Sequence, residues 1–78
     1  YESNFEFFPN PVEDNLSINA SDNITEVNIY NLCGQSVAYQ QTTGKQSLTM
    51  NVSGLNSGVY FVKVRTNNSE VVRRFIKQ

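Results

Sequence analysis

Asparagine punctuates this chain. Asn10, Asn15, Asn23, Asn31, Asn56, Asn67 and Asn68 fall between short apolar runs, at the spacing of about eight to twelve residues that separates turns in β-sandwiches and barrels. The runs themselves are built mainly from β-branched and aromatic residues, which suit a pleated, half-buried surface. Asn, Ser and Thr supply turn chemistry between them. No segment sustains the apolar period of a helix. With 78 residues there is material for one domain, which hides only about 60 to 65% of its unfolded surface. A deep internal substrate cavity does not fit in such a body, so composition speaks against a self-contained enzyme.

Strands are expected over residues 6–8, 16–19, 26–30, 35–41, 47–52, 59–66 and 71–77. Glu26-Val27-Asn28-Ile29-Tyr30 alternates with period two, pointing Val27 and Ile29 inward and Asn28 to water. Gly34 ends the next turn, where a positive φ suits a hairpin closed by a bulge, and Val37 and Tyr39 return on the second arm. Pro9 and Pro11 each remove a ladder donor, so the segment around them belongs at an edge or a crossing. Gly54 and Gly58 bracket a compact turn with Leu55 between them as a plug for the end of the core. The expected fold is an all-β, small immunoglobulin-like antiparallel β-sandwich of about seven strands, with Val27, Ile29, Leu55, Val62 and Val64 buried.

The last two strands form a hairpin across Asn67, Asn68 and Ser69. Setting Thr66 opposite Glu70 places Tyr60, Val62, Val64, Val72 and Ile76 on one face, with Arg74 intruding. The other face then carries Phe61, Lys63, Arg65, Val71, Arg73, Phe75 and Lys77. A slip of one residue sorts apolar from charged positions less cleanly.

Charge is polarised along the chain. Six of the seven acids, Glu2, Glu6, Glu13, Asp14, Asp22 and Glu26, precede every base, and Lys63, Arg65, Arg73, Arg74 and Lys77 crowd the final hairpin. Two readings compete for those cations: a docking face for an acidic protein or an anionic glycolipid, or edge residues that discourage aggregation. The net charge of -1 lacks the basic excess of a nucleic-acid binder. With no histidine and one cysteine, the chain holds no intramolecular disulfide, Cys/His zinc site or His-activated nucleophile. Cys33 is a tolerated turn residue. Asp14 and Asp22 lack the Asp-x-Asp-x-Asp-Gly loop that organises calcium, so neither a metal nor any other cofactor is expected. The Asn-x-Ser/Thr triplets at Asn15, Asn19, Asn23, Asn51 and Asn67 are a product of composition. No apolar run approaches the roughly 20 residues that span a bilayer as a helix. Starting at Tyr1 without an initiator Met, the sequence is expected to be a piece of a longer protein.

Five blocks occur in order: Phe8-Pro9-Asn10-Pro11; Leu16 and Ile18; Val27-Asn28-Ile29-Tyr30-Asn31-Leu32-Cys33-Gly34-Gln35-Ser36-Val37; Ser53-Gly54-Leu55-Asn56-Ser57-Gly58-Val59-Tyr60-Phe61-Val62-Lys63-Val64; and Phe75-Ile76-Lys77. Together they resemble the type A C-terminal sorting domain of the type IX (Por) secretion system. The family pattern opens on Tyr-Pro-Asn-Pro where this chain has Phe8, and its last hairpin often turns on Asn-Gly where Asn67-Asn68 stands. The resemblance implies a non-enzymatic address label on a larger secreted cargo of a Gram-negative bacterium. Such a cargo passes through the periplasm and is recognised at the outer-membrane translocon. A sortase-like peptidase then cuts upstream of the folded label, leaving the cargo at the cell surface or released. On this reading residues 1–5 are linker remnant and residues 6–78 the sorting domain. Translocon recognition falls to Gly58, Lys63, Arg65, Arg73, Phe75, Ile76 and Lys77, while Phe8, Pro9, Asn10, Pro11, Gly34, Gly54 and Leu55 shape the motif. A monomer is expected in dilute solution, with edge pairing or exchange of the final strand at high concentration. The alternative is a small β-sandwich that binds carbohydrate through Tyr1, Tyr30 or Tyr39, or packs on a catalytic domain. The absence of Trp weighs against a sugar platform.

Overall fold

The computed structural model describes residues 5–9 and 11–78. Among them lie β1 (Phe5–Phe8), β2 (Asn15–Tyr30), β3 (Ser36–Asn51), β4 (Gly58–Thr66) and β5 (Glu70–Lys77), with no helix. The central strand is β2: β1 pairs with its first half, β4 with its second half, and β3 with both. Beyond β4 comes β5. All these pairings are antiparallel, and the sheet curls into a half-barrel.

The all-β expectation holds, but five strands replace the expected seven. The polar stretches at residues 21–23 and 42–44 have the composition of chain reversals, but each lies inside a continuous strand at a break in the register of one long ribbon, 21–23 between the Asn19 and Ile24 pairs and 42–44 between the Lys45 and Gln41 pairs. A straight strand of 16 residues would run about 50 Å at roughly 3.3 Å per residue. The longest dimension of the whole molecule is 34 Å, so the ribbon must bend. The β2–β3 ladder breaks register between Asn19 and Ile24 and again between Ile24 and Glu26. That second irregularity resets parity: Leu16, Ile18 and Ile24 are buried before it, Val27 and Ile29 after it. A single core therefore collects side chains from both halves of the ribbon, with Leu48, Met50 and Val52 from the β3 side and Tyr60, Val62, Val64 and Phe75 from the terminal hairpin. Leu55 is half-buried and packs against this core from its turn.

Asn31 closes the β2–β3 hairpin. Its side-chain oxygen accepts hydrogen bonds from the Cys33 and Gln35 N–H groups at 2.9 and 3.0 Å, and Gly34, at φ 83°, donates to the Asn31 carbonyl at 3.0 Å. The ladder shifts between Ile29 and Tyr30, the bulge that the glycine predicted. Because of that shift Ala38 stands opposite Ile29, and Val37 and Tyr39 are turned outward and exposed.

The terminal hairpin is one residue out of the expected register. Arg65, rather than Thr66, stands opposite Glu70. Thr66 is buried and closes the turn: its N–H donates to the Ser69 carbonyl at 2.8 Å, and its hydroxyl accepts from the Asn68 and Ser69 N–H groups at 3.3 and 3.0 Å. The β4 faces are as expected, but those of β5 are inverted. Val71, Arg73, Phe75 and Lys77 fall on the same side as Tyr60, Val62 and Val64, while Val72, Arg74 and Ile76 join Phe61, Lys63 and Arg65 outside.

Between β1 and β2 the chain crosses to the far edge of β5. The Val12 N–H donates to the Ile76 carbonyl and the Gln78 N–H to the Val12 carbonyl, each at 2.7 Å, a short parallel bridge to Lys77. Pro9 and Pro11 flank this crossing, as their missing donors require; Asn10 lies outside the described residues.

Candidate functional site

The cations expected to form one docking stripe are divided by the fold into three environments. Lys63 and Arg65 lie outside, among carboxylates. The Arg65 guanidinium donates to Glu70 Oε2 through Nη2 at 3.0 Å and Nε at 3.2 Å. It also lies 3.8 Å from the Glu26 carboxylate on β2, while Lys63 Nζ is 3.5 Å from Glu70. The two hydrogen bonds from Arg65 chiefly hold the Glu70 carboxyl below its ordinary value of 4.5, against partial desolvation, which raises it. The same hydrogen bond holds the guanidinium above its ordinary range. Next in this row, Tyr39 donates its phenolic proton to Glu26 Oε2 at 3.0 Å. Partial desolvation, and then that carboxylate, raise the phenol.

Lys77 occupies the second environment and corrects the sequence reading. Its side chain points inward, only 6% of the residue is exposed, and Nζ donates to the Gln78 carbonyl at 2.8 Å. The apolar stem is buried and the ammonium is satisfied locally, so Lys77 presents no charge to a docking partner. Phe75 is buried beside it, stacked on Tyr60 with ring centroids 5.7 Å apart. The Tyr60 hydroxyl in turn donates to the Asn56 carbonyl at 2.8 Å. Gly58, where β4 begins, has φ 155°, a conformation that an L side chain adopts only with strain.

Arg73 and Arg74 make up the third. Both are exposed, and neither pairs with a carboxylate among the described residues. Arg73 lies with Cζ 6.0 Å from the centroid of the Phe7 ring, a cation–π distance. Together with Phe5, Phe7, Leu16 and Phe75 these arginines line a cavity of about 260 Å³ between β1 and β5. Ile76 is exposed on the outer side of the same strand.

Sequence reasoning missed Glu26, Glu70, Phe5 and Phe7 as members of this region. For Glu70 a signal was present, because the register that places it opposite Arg65 also pairs opposite charges across the ladder. Of the tyrosines suggested as a sugar platform, Tyr39 is engaged with Glu26, Tyr30 is half-buried and Tyr1 lies outside the described residues. Cys33 is exposed in its turn. Among the described residues no three of His, Cys, Asp and Glu gather as a metal set, and Asp14 and Asp22 do not come together as part of one.

The chain belongs to the family of secretion system C-terminal sorting domains, which it matches over residues 6–78; this is the type IX sorting family that the five motif blocks resemble. It is also similar to an ulvan lyase of Nonlabens ulvanivorans, with 37% identity over 67 residues. That match covers 82% of this chain and 12% of the lyase, so the chain spans only a small part of its relative's length. Membership of the family implies a signal for export to the cell surface or the extracellular space.

Proposed function

We propose that this domain is the folded address of a larger cargo, read at an outer-membrane type IX translocon after passage through the periplasm, and then severed upstream by a sortase-like peptidase. The family match across residues 6–78 carries this reading. It is supported by the similarity to one portion of a much longer lyase, the relation expected of a portable label joined to unrelated cargo. The domain contributes shape and surface, and no chemical step falls to its own side chains.

Recognition centres on β5 and the start of β4. Arg73 and Ile76 are offered directly, and Lys63 and Arg65 contribute through the outer ion-pair row. Gly58, Phe75 and Lys77 act by holding the hairpin in shape. Lys77→Glu is accordingly a poor probe of recognition, because it buries a carboxylate against the Gln78 carbonyl. The test is secretion of a reporter fused upstream of this domain, with Arg73→Glu and Arg74→Glu introduced together. Both side chains are exposed, so the fold is expected to survive while the reporter accumulates in the periplasm. Export at the parental rate by a folded double variant would remove the two arginines from the recognition surface, and export by a reporter lacking residues 6–78 would overturn the reading altogether.

A further inference from the structure

The half-barrel is open between β1 and β5. Each of these strands pairs with one neighbour only, β1 with β2 and β5 with β4, so each has a free edge. No Cα of β1 lies within 8 Å of a Cα of β5. Adjacent strands stand about 4.8 Å apart, so the opening exceeds one strand spacing. The guanidinium of Arg73 nevertheless reaches the Phe7 ring across it, which keeps the two walls within side-chain reach.

Backbone geometry shows which groups face the opening. The Ile76 carbonyl points to the free side of β5, because it accepts from Val12 there. In an antiparallel ladder N–H and C=O of one residue point the same way and alternate residues share a side, so Val72 and Arg74 direct theirs into the opening as well. The Val12 bridge already uses one end of this edge. From Arg74 back to Glu70 no described backbone group outside the β4–β5 ladder pairs with it. The floor is apolar and aromatic, formed by Phe5, Phe7, Leu16 and Phe75. Both charged side chains at the rim are cationic and, among the described residues, without a carboxylate.

We propose that the β1–β5 opening is a strand-accepting cleft whose occupant is an extended acidic segment of a partner protein, with apolar side chains alternating with Asp or Glu. Backbone hydrogen bonds along β5 hold the segment, its apolar residues settle on the phenylalanines beside Arg73, and its carboxylates, on the other face of the added strand, meet Arg74. This is strand addition at an open edge, with side-chain alternation setting the specificity and charge setting the sign of the preferred partner. The long edge of β3 is the competing site, but it carries a single cation, Lys45, against the two arginines at the β1–β5 opening. The inference deepens the sorting reading by naming the chemistry of the partner strand, and rests on that reading for its biological use.

The test is binding of fluorescent peptides of about six residues, the usual strand length, to the 78-residue chain, followed by amide NMR. A peptide alternating Val and Glu is expected to bind, to lose affinity as salt is raised, and to protect the amides of Val72 and Arg74 from exchange. A Val/Lys peptide is expected to bind at least about tenfold more weakly, and the Arg73→Glu, Arg74→Glu variant to reverse that order. Methylating alternate backbone nitrogens of the Val/Glu peptide is expected to abolish binding. Equal affinity for both peptides, tolerance of N-methylation, protection confined to the β3 edge, or filling of the cleft by a second copy of the chain would each overturn the proposal. If the peptide binds as expected while reporter export ignores the two arginines, the cleft stands and their part in sorting falls. Loss of export without peptide binding does the reverse.

Discussion

The two strands of the terminal hairpin are neighbours with opposite duties. Between β2 and β5 lies β4, with Tyr60, Val62 and Val64 buried, and its cations Lys63 and Arg65 are occupied by Glu26 and Glu70. At the edge, β5 leaves Val72, Arg73, Arg74 and Ile76 in solvent, and its arginines have no carboxylate among the described residues. Similar local composition therefore yields a strand that holds the fold and a strand that presents chemistry. The difference comes from position in the sheet: a central strand spends both faces and both edges on its own molecule, while an edge strand keeps one edge to offer.

Truncating β4 should break this contrast most visibly. Tyr60→Ala removes a buried ring, its stacking on Phe75 and its hydrogen bond to Asn56, at an expected cost of about 3 to 5 kcal/mol. For a domain of this size that is most of the stability, and urea denaturation measures it. Arg73→Ala on β5 is expected to cost no more than about 1 kcal/mol, the value of a cation–π contact at an exposed site. Comparable losses in the two variants would mean that β5 is as structural as β4. Leu55→Ala falls between them: the side chain is half-buried in a turn, so the expected loss is about 1 to 2 kcal/mol, below the range for fully enclosed leucines. Differential scanning calorimetry ranks it against Tyr60→Ala.

The smallest effect sharpens the electrostatic half of the comparison. The Glu70 carboxyl is held low in the folded chain, chiefly by Arg65. Its contribution to stability is therefore fully present above the ordinary carboxylate range and is lost as pH falls through the depressed folded value. Glu70→Gln should flatten that part of the acid limb of the stability curve and leave the neutral region little changed, because the pairs are exposed. An unaltered acid limb would show that the outer row is not coupled to folding. Arg74→Gln, four residues further along the same strand, is expected to leave the same limb untouched.

Much of this was legible in residue patterns. Alternation placed Val27, Ile29, Val62 and Val64 in the core, Gly34 marked its turn and bulge, and the two prolines marked a crossing. Strand count was not legible, because Ser21-Asp22-Asn23 and Thr42-Thr43-Gly44 have turn composition whether the chain reverses or merely bends; only the continued pairing of β2 with β3 on either side of them distinguishes the cases. The β5 faces were lost to a single-residue ambiguity. Thr66 suits a ladder position as well as a turn, and with Arg73, Arg74 and Lys77 spread over both parities the charge pattern did not decide between them. Lys77 shows the limit of counting charges, since a long stem beside a carbonyl can hide an ammonium that composition assigns to the surface. The motif blocks identified the family even so, because their order survives errors of register.

The bridge at Val12 has a consequence for how the chain is made. Its partners, Ile76 and Gln78, lie at the opposite end of the sequence, so the crossing segment has nothing to dock on until nearly the whole domain has been synthesised. Pairings of such sequence separation form late and slowly. During translation the β2–β3 ribbon can assemble from local contacts, with Asp14 held by Val52, while Val12 stays untied. Closure of the half-barrel floor then waits for the final strand to emerge, and a chain interrupted before β5 would keep its core exposed to chaperones and proteases.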